Sequence, residues 1–116
     1  MEAVAKLSSC PMSARKMRLV VDNIRGKNVG EALGILRYTN KEAAGWLTKI
    51  VMSAVANWEV KTEKDPAEYD LYIKTAFSDA ATILKRFQPA PQGRAHRIRK
   101  RTNHVTIIVE NRLPIE

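Results

Sequence analysis

The chain has 116 residues, room for one domain around one modest core. Its 45% hydrophobic and 28% charged residues form an ordinary globular mixture, which excludes a wholly disordered basic tail. Twenty Lys and Arg against twelve Asp and Glu leave a formal net charge of +8, a balance that points to a polyanionic partner, either nucleic acid or an anionic membrane. Cys10 is the only cysteine, so no intrachain disulfide is possible; with no secretory signal pattern and no run near the roughly 20 apolar residues of a membrane span, the expectation is a soluble intracellular protein.

In chain order, Ala3 to Ser9 alternate weakly and predict a short strand that Pro11 stops. Ser13 suits a helix N-cap, and Met17, Val20, Val21 and Ile24 come after it at the spacing of one buried helical stripe, with Gly26 fitting the C-terminus. A shorter helix starts at Asn28, whose spacing to Glu31 resembles a capping box; Val29, Ala32, Leu33 and Leu36 supply its apolar face. Asn40 is the expected cap of a third helix with the stripe Ala43, Leu47, Ile50, Val51, Ala54, Val55 and Trp58, and the acidic run from Glu59 to Asp70, with Pro66 inside it, reads as a loop. The period then changes to two. Leu71, Ile73, Thr75 and Phe77 alternate with Tyr72, Lys74, Ala76 and Ser78, and Val105, Ile107 and Val109 mark another strand. The segment between is broken once, at Pro89-Ala90-Pro91-Gln92-Gly93, which predicts one long hairpin. The expected architecture is α+β: a single domain over residues 1–116, with three helices packed on a small antiparallel three-stranded sheet and residues 80–109 forming a long protruding basic β-hairpin.

Charge is distributed unevenly along this plan. From Ala80 to Val109 the chain carries Lys85, Arg86, Arg94, Arg97, Arg99, Lys100 and Arg101 and no carboxylate, a net +7; residues 1–30 add +4, whereas residues 31–79 are net −2. A hairpin so charged repels itself, and a polyanion would supply counter-charge while releasing condensed counterions. At about 3.3 Å per residue, an arm of ten or so residues reaches roughly 30 Å from its domain, far enough to thread between RNA helices. Arg outnumbers Lys in it, and guanidinium groups contact phosphate bidentately and stack on bases. On the first helix, Arg15, Arg18 and Arg25 fall on one flank with Asp22 among them, either as an RNA-facing surface or as a solvated face with an Arg18–Asp22 pair; Lys16 points the other way.

Catalytic chemistry has little support. His96 and His104 lie in the basic segment with no cysteine or carboxylate nearby, so no metal site is expected, and no nucleotide-binding glycine motif or other cofactor signature is present. Trp46 and Trp58 read as core or edge of the third helix. The acidic cluster Glu59, Glu63, Asp65, Glu68 and Asp70 reads as a solvated loop. A small nuclease would need carboxylates beside the basic surface, and the arm has none. A free-standing DNA-binding regulator would need a recognition helix or dimer interface, and neither is evident.

The run Ser13-Ala14-Arg15-Lys16-Met17-Arg18-Leu19-Val20-Val21-Asp22, continuing through Ile24-Arg25-Gly26-Lys27, pairs with Gly93-Arg94-Ala95-His96-Arg97-Ile98 and Lys100-Arg101-Thr102-Asn103-His104. Together these motifs closely resemble the L22 family of large-subunit ribosomal proteins, and the order of elements agrees across nearly the whole chain. The resemblance implies a non-enzymatic, cytoplasmic constituent of the ribosome. Its body would lie near the mouth of the peptide exit tunnel, and its hairpin would run inward through ribosomal RNA to help line the tunnel beside ribosomal protein L4. The implied partners are large-subunit ribosomal RNA, neighbouring ribosomal proteins and the nascent peptide, with a role in early assembly and a link to macrolide response at the tip. Carried onto this chain, the RNA-binding residues are Arg15, Lys16, Arg18, Arg25, Lys27, Lys85, Arg86, Arg94, Arg97, Arg99, Lys100 and Arg101, and the tunnel tip is Phe87, Gln88, Pro89, Ala90, Pro91, Gln92, Gly93 and Arg94. The tip departs from the family's Arg-Ala-x-Gly-Arg pattern: it reads Ala90-Pro91-Gln92-Gly93-Arg94, without a positive charge at 90 and with a stiffening proline at 91.

Overall fold

A computed structural model describes residues 1–81, 84–89 and 95–113. The first strand, β1 (Glu2–Cys10), leads into α1 (Ala14–Ile24). Ser13 caps α1 as expected: its hydroxyl accepts from the Lys16 amide at 3.4 Å. Met17, Val20, Val21 and Ile24 are all fully buried. Gly26 comes just beyond the helix with φ of +78°, the left-handed conformation that glycine adopts without steric cost.

The next two helices depart from the expected caps. Asn28 does stand at the N-cap of α2 (Val29–Tyr38), but its side chain caps nothing there; its Oδ1 accepts instead from Arg112 Nε at 2.9 Å, so the reciprocal box with Glu31 does not form. The N-cap of α3 (Glu42–Thr62) is Lys41 rather than Asn40, and again no side chain caps it. That helix also runs past Trp58 into the acidic segment, because nothing in Glu59–Thr62 breaks it. It stops where Glu63 turns left-handed, with φ of 57°. A single 3-10 turn, Pro66–Glu68, occupies the connection to the sheet; Asp65 caps it, its carboxylate accepting from the Ala67 amide at 3.0 Å. Four members of the acidic cluster therefore belong to helices or their caps: Glu59 in α3, Glu63 at its C-cap, Asp65 at the N-cap of the 3-10 turn and Glu68 at that turn's end.

The strands β2 (Leu71–Ala80), β3 (Leu84–Pro89), β4 (Ala95–Lys100) and β5 (Asn103–Asn111) complete the chain. The body is an antiparallel sheet in the order β1-β5-β2, with the helices on one face. Val105, Ile107 and Val109 of the central strand are fully buried, and Ala3, Ala5 and Ile73 join them beneath α1 and α3. Trp58 closes the core, donating from Nε1 to the Met1 carbonyl at 3.2 Å and packing against Tyr69 at a ring-centroid distance of 5.7 Å.

The simple alternation expected of β2 is interrupted. A register shift between Ile73 and Thr75 adds one residue on β2, so the inward positions are Leu71, Ile73, Ala76 and Ser78, while Phe77 is 39% exposed on the outer face. The bulge places small residues where α1 crosses the edge strand. The close approach lets α1 seal that edge: Arg25 donates to the Ala76 carbonyl from Nε at 3.0 Å and from Nη2 at 2.8 Å, and Arg18 Nε donates to the Ser78 carbonyl at 2.9 Å. Further along, the Gly26 amide donates to the Ile73 carbonyl and the Ile73 amide to the Lys27 carbonyl, at 3.0 and 2.9 Å. An edge strand left open would invite pairing with another chain. Of the two readings of the α1 flank, the one with an Arg18–Asp22 pair is altered: Asp22 pairs with Arg25 at 2.8 Å, and Arg18 reaches β2.

The hairpin is built as two ladders in succession. The β2–β5 ladder ends at Ala80↔Asn103, the Ala81 amide donates to the Thr102 carbonyl at 3.0 Å, and the β3–β4 ladder resumes from Leu84↔Lys100 to Pro89↔Ala95. Among the described residues, β3 and β4 pack chiefly on each other. The radius of gyration is 17.7 Å, well above the roughly 13 Å of a compact chain of this length.

Candidate nucleic-acid interface

The root of the arm is organised by a fully buried polar residue, Asn103. Its Nδ2 donates to the Met12 carbonyl at 2.8 Å and, more weakly, to the Cys10 carbonyl at 3.5 Å, and its Oδ1 accepts from the Ser78 hydroxyl at 3.1 Å. One amide thus ties the β1–α1 turn to the point where β2 and β5 leave the body. Cys10 lies against it, buried, with its thiol pKa pushed up by desolvation. The consequence is positional: the N-terminus of α1 is held beside Arg101 and Thr102.

Around this junction four cations from the two ends of the chain converge. A cleft of about 200 Å³ is lined by Ser13, Arg15, Arg18, Ala81 and Arg101 among others. A wider hollow of about 480 Å³ joins Arg15, Lys16 and Leu19 to Arg101. Arg15, Lys16, Arg18 and Arg101 are exposed. The first-turn amides of a helix point the same way, adding a partial positive charge. Such a set can hold phosphates by charge and by guanidinium forks; it contains no carboxylate that could act as a base or metal ligand. Among the described residues no group of three or more His, Cys, Asp and Glu is placed to hold a metal ion, and no helix is long and apolar enough to cross a membrane.

The other sequence-predicted cations separate into distinct environments. Arg25 lies further along α1, with its guanidinium on the β2 carbonyl and on Asp22. Lys27 is exposed in the linker that pairs with Ile73. In the arm, Lys85 and Arg86 fall on β3 and Arg97, Arg99 and Lys100 on β4. The register sets Lys85 opposite Arg99 and Phe87 opposite Arg97 on one face of the ladder, with Arg86 opposite Ile98 and Leu84 opposite Lys100 on the other. Both faces therefore carry basic positions, and a like-charge pair stands directly across the strands, an arrangement that is unfavourable without counter-charge. Of the expected tip, Phe87, Gln88 and Pro89 end β3, whereas Ala90, Pro91, Gln92, Gly93 and Arg94 lie outside the described residues.

The opposite end of the body has a different character. Lys74 bridges Glu2 and Glu110, the latter at 3.5 Å, and the Tyr72 hydroxyl donates to Glu110 Oε2 at 3.0 Å. That hydrogen bond, ahead of the Lys74 charge, holds the Glu110 carboxyl below its ordinary pKa. Arg112 stacks 4.3 Å over the Tyr72 ring. Trp46, half-buried on α3, has Lys49 5.9 Å above its ring. Here the carboxylates Glu2 and Glu110 are matched by Lys74 and Arg112, whereas the root gathers four cations.

Sequence reasoning overlooked Asn103 as an organising residue. A signal was available: in the alternation 103, 105, 107, 109, three inward positions are Val or Ile and the first is an amide. A polar residue on a buried face needs internal partners, and here those partners set the geometry of the cationic junction.

Comparison with known proteins agrees with this architecture. The family pattern described as ribosomal protein L22p/L17e matches residues 5–110. The large ribosomal subunit protein uL22 of Flavobacterium psychrophilum is 56% identical over 108 residues, covering 92% of this chain and 79% of that protein. Its counterpart in Porphyromonas gingivalis is 55% identical over 106 residues, covering 91% and 79%, and one from Bacteroides fragilis is 51% identical over 108 residues, covering 93% and 79%. With the family pattern spanning nearly the whole chain and identities above one half, the chain belongs to the ribosomal protein L22p/L17e family, whose members are structural and not enzymatic.

Proposed function

We infer that this chain is a structural constituent of the large ribosomal subunit and that large-subunit RNA embraces its arm and the α1 junction at the arm's root. Family membership supports the first statement. The second rests on one observation above others: a two-stranded ladder with basic positions on both faces and no carboxylate between Ala80 and Val109. An isolated two-stranded hairpin is marginal in water, and this one opposes Lys85 to Arg99. Phosphates on both sides would remove the repulsion and release counterions. The cluster Arg15, Lys16, Arg18 and Arg101 would anchor the same RNA where it meets the body.

The finer assignments come from the family resemblance. The arm runs inward through ribosomal RNA, its tip from Phe87 to Arg94 faces the nascent peptide in the exit tunnel beside L4, and neighbouring ribosomal proteins contact the body. Assembly of the subunit in the cytoplasm would order the arm, and Lys27 and Arg25 lie where they could reach RNA at the margin of the junction. The experiment is direct. Replacement of Arg97, Arg99 and Arg101 together by Gln should weaken binding to transcribed large-subunit RNA and flatten its salt slope by up to about three units. It should also reduce co-sedimentation with the large subunit at moderate salt. An unchanged slope would remove these side chains from the phosphate contacts.

A further inference from the structure

On the side of α1 away from the arm, its N-terminus meets that of α3 across a groove of about 380 Å³, lined by Met12, Lys16, Leu19, Lys41, Glu42 and Ala43. The groove is continuous with the cationic junction, since Lys16 and Leu19 line both hollows. Its floor is apolar. Met12 is half-buried and Ala43 buried, and Leu19 remains 58% exposed although its helix neighbours Val20 and Val21 are fully buried. Its rim is cationic. Lys16 and Lys41 stand on the two helices against one carboxylate, Glu42, and Lys41 occupies the α3 N-cap without a side-chain cap. An acidic-rimmed groove would suit a basic protein tail; this rim is net positive and adjoins the proposed phosphate-binding surface.

We propose that this groove receives an unpaired nucleotide of the large-subunit RNA, its base against Met12, Leu19 and Ala43 and its flanking phosphates on Lys16 and Lys41. The inference rests on the RNA-binding reading of the junction and extends it around α1. A base presents an apolar face edged by polar groups, and RNA-binding proteins commonly take up splayed, single-stranded bases while cations hold the backbone. The two helix N-termini add positive potential at the rim. Lys41 contributes a phosphate contact that the basic motifs around α1 and the arm do not include.

The test uses the full chain and transcribed large-subunit RNA. Lys41→Gln should lower the salt slope by about one unit. Leu19→Ala should weaken binding about fivefold with no change in slope, as expected for lost apolar contact. A benzophenone amino acid in place of Leu19, irradiated in the assembled subunit, should crosslink to RNA. A crosslink to protein alone, or none, would overturn the proposal, as would an unchanged slope in Lys41→Gln. Arg101→Gln separates the two levels of argument. If it lowers the slope while Lys41→Gln does not, only the groove assignment falls; if neither changes it, the RNA-binding reading of the junction falls with it.

Discussion

Two groups of arginines in this chain face different electrostatic tasks. Arg18 and Arg25 lie on a packed helix and direct guanidinium nitrogens at backbone carbonyls of the β2 edge, at distances between 2.8 and 3.0 Å. Arg97 and Arg99 occupy positions on the β3–β4 ladder, where the register sets Arg99 opposite Lys85. The first group is satisfied within the protein and stabilises the sheet. The second lies where the strand register sets like charges across from one another. Residue type and net charge do not distinguish the groups; their place in the fold does. Arg18 belongs partly to both, since it spends Nε on Ser78 and still lines the cleft with Arg101.

Substitutions at the two groups should have different consequences. The largest effect is expected from the Arg97, Arg99 and Arg101 triple Gln variant: a slope change of up to about three units amounts to orders of magnitude in RNA affinity over a modest salt range, with the melting temperature of the body unchanged. A melting temperature that fell with affinity would mean that the arm contributes to the stability of the body. Next is Asn103→Ala. It leaves the Ser78 hydroxyl and the Met12 carbonyl without their buried partner and should cost about 2–3 kcal/mol, read by denaturant unfolding. It should also weaken RNA binding at the junction while the arm's own salt dependence persists.

Arg25→Gln addresses the other group. Loss of the bonds to Ala76 and of the exposed Asp22 pair should cost about 1 kcal/mol, with a smaller slope change than any single arm substitution. A slope change as large as that of Arg101→Gln would move Arg25 into the phosphate-binding set. The smallest effect concerns the end of the sheet far from the arm. Glu110 is held below its ordinary pKa chiefly by the Tyr72 hydroxyl, so it adds stability above the ordinary carboxylate range that is lost as pH falls through its lowered value. Tyr72→Phe should therefore lie below the parent protein in stability near neutral pH and converge with it in acid. A constant gap across that range would show that the hydrogen bond is not linked to carboxylate ionisation.

Much of the body was legible because its cues are local. The stripe of α1, the Ser13 cap, Gly26 beyond the helix and the buried Val105, Ile107 and Val109 all reflect spacing within a few residues. Several departures depend on a partner distant in sequence. Asn28 gives up its cap because Arg112 reaches it, and Arg18 abandons Asp22 for β2. The bulge in β2 exists in a packing environment that sets Ala76 and Ser78 beneath α1, so the alternation does not run unbroken through the strand.

The amino-acid sequence by itself determined the elements, the α+β class and the presence of a long carboxylate-free basic segment, since periodicity and charge are properties of consecutive residues. Folding sets which cations of α1 already have partners within the protein. It also brought Arg15, Lys16 and Arg18 to Arg101 through the buried Asn103 amide. The reason is that a charge's availability depends on what lies within hydrogen-bonding distance, and in this fold those neighbours come from the other end of the chain.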